Sequence, residues 1–161
     1  MNYTLLKNYS AIFLLIFFIS CSSDNNNDMP EIIEQIDYSE QNEEEIIAYI
    51  SDNNLNATRS DSGLYYVVNE EGTGDKALAT DNITVAYKGA LTNGNVFDES
   101  EEFTADLNML IAGWVEGIQN FKEGGSGILL IPAHLGYGGS TIPGIPAGSV
   151  LIYDITLISI N

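Results

Sequence analysis

The spacing of apolar residues changes character three times along the chain. Residues 11–19 form an uncharged apolar run, shorter than a stable bilayer-spanning helix requires. A polar, acidic stretch follows. Between residues 39 and 56, Ile46, Tyr49 and Ile50 fall on one face at three- and four-residue spacing, with Ile47 beside them. Glu43, Glu44 and Glu45 occupy early turns, where the helix dipole favours acids, and Ser39 reads as the N-cap. A helix that docks on the following domain is expected here; a dimerisation element is the alternative.

Beyond Ser62-Gly63 the helical rhythm gives way to short β-type runs separated by Gly and Asn, as an antiparallel sheet requires. Residues 64–69, 83–92, 126–132 and 150–160 read as strands. Asn93-Gly94 signals a type I′ hairpin leading into Val96-Phe97. In the last strand Leu151, Tyr153, Ile155 and Leu157 alternate with Ile152, Asp154, Thr156 and Ile158. Trp114, Ile118 and Phe121 recur at helical spacing, and Gly124-Gly125 is the expected stop. One helix laid across a bent antiparallel sheet is an α+β architecture. The expected organisation is therefore a leader (1–20), a polar tether (21–38), an N-terminal helical segment (39–60) and one domain (61–161).

Composition sharpens the two ends of this picture. With 45 % hydrophobic residues the chain can fill one core. Of its five basic residues only Lys7 precedes the apolar run, which gives the n-region and h-region of an export signal. Phe18-Ile19-Ser20-Cys21 resembles a bacterial lipobox, which implies lipid on Cys21, the single cysteine, and a membrane-anchored place in the cell envelope, at the outer membrane. An ordinary secretory signal is the alternative. A lone cysteine also excludes an internal disulfide. The Ser, Asp and Asn run after it offers nothing to bury and reads as a tether, or as an address to the outer face of an outer membrane. The net charge of −18, with Arg59, Lys76, Lys88 and Lys122 scattered singly, sets nucleic-acid binding aside.

Charge and nucleophile chemistry find no pattern either. Gly72-Thr73-Gly74 lacks the third glycine of a dinucleotide loop, and residues 138–142 lack the closing glycine of a nucleophile elbow. His134 is the only histidine, so no zinc pair is expected. Asp98, Glu99, Glu101 and Glu102 do not follow the spacing of a calcium loop and read as a solvated loop. No metal or cofactor is expected.

What remains is an aromatic and aliphatic set: Tyr87, Phe97 with Asp98, Leu110-Ile111, Trp114, Tyr137 and Tyr153. Three phenols in a small core would each need a hydrogen-bond partner, so a pocket uses them better than an interior does. The segments ITVAYKGALTNGNVFDES, LIAGWVEGIQNFKEGGSGILLIP, HLGYG and IPAGSVLIYDITLISI resemble, in order, the FKBP-type peptidyl-prolyl cis/trans isomerase domain. The resemblance covers residues 63–161.

It implies a half-barrel of five or six antiparallel strands wrapped on a short helix, with a substrate proline held between them. Trp114 would be the pocket floor, with Tyr87, Phe97 and Tyr153 as walls. Leu110 and Ile111 would form a rim, the Ile111 N–H donating to the peptide and the Tyr137 hydroxyl to a substrate carbonyl. Asp98 would bring a polar edge to the twisting amide, and Phe103 and Ile145 would contact substrate. The partners implied are proline-containing polypeptides and macrolide inhibitors. Only five residues separate Phe97 from Phe103, which reads as a short loop, and an ungapped count places Glu101 at a further pocket position and Met109 at the rim. An active isomerase is the leading reading. A weak proline-peptide binding module and a purely structural lipoprotein are its competitors.

Overall fold

The computed structural model describes residues 36–161; the leader, Cys21 and nearly all of the tether lie outside them. The chain opens with α1 (Ser39–Asp52), and the N-cap is one residue earlier than expected. Ser39 is already helical, and the Asp37 carboxylate, not the Ser39 hydroxyl, accepts the Ser39 backbone N–H at 2.9 Å. The helix also ends early. Asn54 takes φ 53°, the Asn54 N–H bonds Ser51 O and the Leu55 N–H bonds Ile50 O, which is the pair of reversed bonds of a Schellman stop. This frees residues 58–59 from the expected helical segment, and they pair as an edge strand.

Six antiparallel strands follow. They are β1 (Thr58–Arg59), β2 (Tyr65–Glu70), β3 (Asn82–Leu91), β4 (Val96–Asp106), β5 (Ser126–Ile131) and β6 (Leu151–Ile160), in the spatial order β1-β2-β5-β6-β3-β4. The expected hairpin forms between β3 and β4 but is not type I′. Gly94 alone takes positive φ (86°) while its N–H bonds Leu91 O and Leu91 N–H bonds Asn95 O, so the loop has three residues, with Gly in the left-handed position.

The acidic stretch after Phe97 is not a loop at all. It is the middle of β4, and its excess residue is absorbed in a bulge: Phe103 pairs Val85 and Ser100 pairs Tyr87, leaving Glu101 and Glu102 opposite Ala86. Counted back from Trp114, the ring that reaches the pocket comes two residues sooner than an ungapped count assumes. Glu101 is exposed and borders a polar hollow with Lys88, Glu99 and Asp154, while Phe103 reaches the aromatic set.

The second helix, α2 (Ala112–Ile118), stops before the glycines expected to end it. The amides of Gln119 and Asn120 donate to the carbonyls of Val115, Glu116 and Gly117, meeting acceptors that a longer helix would have used. Phe121 lies in the turn beyond and is fully buried. α2 sits unusually close to β5, because a Cβ at Gly113 would fall 2.4 Å from Ile131 Cγ2 and one at Gly117 2.5 Å from Leu129 Cδ1.

The alternation along β6 divides the interior. Leu151, Tyr153, Ile155 and Leu157 join the core under α2, and Ile152 joins a second cluster with Ile46, Tyr65, Leu130 and Val150 under α1. Asp154, Thr156 and Ile158 are exposed. The N-terminal helix is thus docked. Burial of Ile46 alone contributes about 2 kcal/mol. At the edge of the helix Glu43 pairs with Arg59 at 3.1 Å and accepts the Tyr65 hydroxyl at 2.7 Å, and Glu45 accepts from Thr92 in the hairpin. The Tyr65 bond, then Arg59, holds the Glu43 carboxyl below its usual range.

Candidate active site

Trp114 enters the core from the first turn of α2, and the close approach allowed by Gly113 fixes its depth. The residue is 4 % exposed. Three rings meet it edge to face: Tyr87 from β3 at 5.1 Å, Tyr153 from β6 at 5.1 Å and Phe103 from β4 at 6.3 Å. Tyr87 and Phe103 also meet edge to face, at 5.7 Å. This is the favoured arrangement of aromatic quadrupoles, and it leaves space that flexible side chains would have filled.

The space is a cleft of ≈ 320 Å³. Tyr87, Asp98, Phe103, Leu110, Ile111, Trp114, Tyr137 and Tyr153 line it, all of them expected from the sequence, and Met109 completes the rim. Met109 is 79 % exposed.

Two expected residues stand elsewhere. Phe97 lies behind the wall, its ring edge-on to Tyr153 at 5.5 Å. The Tyr-x-Gly motif explains how it gets there, since a Cβ at Gly89 would lie 2.6 Å from Phe97 and 2.8 Å from Tyr153. Ile145 is 4 % exposed, belongs to the core cluster and does not line the cleft. It sits in a tight turn in which Ile142 and Ile145 exchange both backbone bonds.

Polar atoms are few and placed at the edge. The Tyr87 hydroxyl donates to Asp98 Oδ2 at 2.6 Å, so a phenol orients this carboxylate; no ion pair involves it among the described residues. Burial first, and then Asp98, push the Tyr87 phenol up to about 12. Deeper burial raises the Tyr153 phenol further, with Tyr137, Tyr87 and Asp98 adding to it. Both phenols are neutral donors at neutral pH. The Ile111 N–H has no hydrogen-bond partner among the described residues, and the Tyr137 hydroxyl lies beside the Tyr153 phenol. Trp114 Nε1 is buried without a hydrogen-bond partner among the described residues.

The arrangement is therefore an apolar, ring-walled cleft with hydrogen-bond donors at its rim. Such a cleft can desolvate and orient an amide; a neutral pair of phenols gives it no nucleophile. Residues 74–158 match the family described as FKBP-type peptidyl-prolyl cis-trans isomerase, and the chain belongs to that family. FkpA of Buchnera aphidicola subsp. Baizongia pistaciae is 42 % identical over 109 residues, 65 % of this chain and 43 % of that protein. FkpA of Escherichia coli K12 is 41 % identical over 106 residues, 63 % of this chain and 39 % of its own length. This chain spans less than half of these relatives.

Solved structures agree on the fold. The crystal structure of Escherichia coli FkpA superposes with a TM-score of 0.69 at 35 % identity, covering 76 % of this chain and 61 % of that one. That of AtFKBP13 gives 0.58 at 32 % identity, over 65 % of this chain and 98 % of the other. The family match begins after α1, β1 and β2.

Proposed function

We propose that this protein is a peptidyl-prolyl cis/trans isomerase that assists the folding of exported polypeptides. The observation that carries the reading is Trp114, held edge-on by three rings under a cleft with the Ile111 N–H and the Tyr137 hydroxyl at its rim. Rotation about an Xaa-Pro bond must overcome about 20 kcal/mol of lost amide resonance. The twisted amide is less polar than the planar one. An apolar cleft therefore disfavours the planar ground state more than the transition state, and this difference, not tight binding, accelerates the reaction.

In this geometry the proline ring rests over Trp114 between Tyr87, Phe103 and Tyr153. The Ile111 N–H and the Tyr137 hydroxyl hold carbonyls on either side of the turning bond, while Asp98, steadied by Tyr87, presents its carboxylate edge to the amide. Each 1.4 kcal/mol of preference for the twisted form corresponds to about a tenfold acceleration. Phe97 braces Tyr153 and acts through it.

Isomerisation of a short Xaa-Pro peptide, followed with the full chain by a protease-coupled assay, tests this directly. A rate clearly above that of solvent is expected, suppressed by a macrolide that fills the same cleft. A rate equal to solvent removes the isomerase reading and leaves a proline-peptide binding module, which the engaged Asp98 carboxylate would favour. Quenching or enhancement of the fluorescence of Trp114, the single tryptophan, would then report the binding.

The export leader ending at Cys21 supports lipid attachment and an envelope location, with the polar tether holding the domain off the membrane. Replacement of Cys21 by Ala should abolish lipid labelling and release the protein from the membrane fraction. Retention of the label by that variant would refute the anchor.

A further inference from the structure

The loop between β5 and β6 carries Tyr137, yet it has no strand partner to fix it. Its two ends, Ala133 and Gly148, lie on either side of one side chain from α1. Asn42 is fully buried, its Nδ2 donating to Gly148 O at 2.9 Å and its Oδ1 accepting the Ala133 N–H at 2.8 Å.

The same two residues, through their other backbone groups, hold the residue next to Tyr137. The Gly138 N–H donates to Ala133 O at 2.7 Å, and the Gly148 N–H donates to Gly138 O at 2.9 Å. Asn42, Ala133, Gly138 and Gly148 thus form a closed ring of hydrogen bonds at the base of the loop. One helical turn before Asn42, Tyr38 lies flat against the glycine, for a Cβ at Gly148 would fall 2.2 Å from Tyr38 Cε1.

Residue type matters at this position. A buried polar side chain is unfavourable unless it is bonded, and an aliphatic residue would suit the stripe that continues to Ile46. Asn presents a donor and an acceptor side by side on a short stem, so it can join an N–H to a C=O; Asp lacks the donor and Leu lacks both. Nothing else among the described residues links the two loop ends to α1 by side-chain hydrogen bonds.

We propose that α1 is a positioning element for the cleft, acting through Asn42, which clasps both ends of the loop that presents the Tyr137 hydroxyl. Its catalytic readout rests on the isomerase reading above. Asn42 touches no substrate; it sets where Tyr137 stands.

The test compares the full chain with Asn42→Leu, Tyr137→Phe and the double variant, measuring kcat/KM for an Xaa-Pro peptide and amide exchange at Gly138 and Gly148. Asn42→Leu should lower kcat/KM about tenfold, the scale of a misplaced contact group. It should have no further effect once Tyr137 is Phe. The Gly138 and Gly148 amides, neither bonded to Asn42, should exchange faster in Asn42→Leu.

Equal losses in both backgrounds would overturn the proposal, because a general loss of stability does not depend on the Tyr137 hydroxyl. Unchanged exchange at both glycines would overturn it too. If Asn42→Leu fails to fold, Tyr38→Ala removes the other contact of α1 with Gly148 without changing the loop itself and is read in the same way. An inactive wild-type chain refutes the isomerase reading alone, and exchange at the two glycines still decides whether Asn42 orders the loop.

Discussion

On the face of the sheet covered by α2 the large side chains include Trp114, Tyr87, Tyr153, Phe103 and Phe97; on the face covered by α1 the buried ones are Ile46, Leu130, Val150 and Ile152, with Tyr65 the one ring among them. Planar rings meeting edge to face cannot close every gap, and the gap they leave above Trp114 is the cleft. Branched aliphatic side chains interdigitate and close their face, as interiors ordinarily do. The same sheet therefore presents an open hollow on one side and a sealed buttress on the other. The one polar residue in the buttress, Asn42, is spent on the loop that borders the hollow.

The strongest way to break this comparison is to remove the floor. Trp114→Ala should cost about 4 kcal/mol of stability in chemical denaturation, since the ring is core as well as cleft, and it should abolish catalysis by the remaining folded protein. Ile46→Ala, the matching deletion on the other face, should cost about 3 kcal/mol. Its folded fraction should retain far more activity than Trp114→Ala. Equal inactivation by the two changes would mean that the faces are not separable.

Tyr137→Phe sharpens the contrast by removing one rim donor with no loss of packing. Catalytic efficiency should fall about tenfold, equivalent to 1.4 kcal/mol of transition-state preference. The denaturation midpoint should barely move, within about 0.5 kcal/mol. The smallest effect belongs to the edge of α1. Glu43 is ordinarily half-protonated at 4.5 and is held lower in the folded chain. Its contribution is therefore present above 4.5 and is lost as pH falls through the lower folded value. Partial exposure limits it to less than about 1 kcal/mol. Stability measured from pH 7 down should show this loss in the wild type and not in Glu43→Gln.

Much of the cleft was legible because its members are chemically conspicuous. A single Trp after Ile-x-Gly, a Tyr-x-Gly before a hairpin and a Phe-Asp after it place rings and a carboxylate in a recognisable order. Phe97 and Ile145 show the limit of that legibility. Their types suit a pocket, but a ring one layer back and an aliphatic residue in a tight turn read the same way in one dimension. Glu101 shows a different limit, because the connection between β4 and α2 sets the spacing and an ungapped count back from Trp114 overshoots Phe103 by two residues. The clasp by Asn42 carried only a faint signal: a polar residue four positions before Ile46 on a helix whose buried face was otherwise apolar.

The sequence by itself determined the alternation of β6, the two helices, the identity of the ring-bearing residues and the absence of clustered basic residues. These are properties of period and side-chain type, and both are local. Only the tertiary structure decided which rings face the cleft, that the acidic stretch is a bulged strand, that α1 seals the far side of the sheet, and that its Asn42 ties Ala133 to Gly148 across the loop of Tyr137. Each of these depends on contacts between residues far apart in the chain, where one inserted residue or one missing Cβ changes which groups can meet.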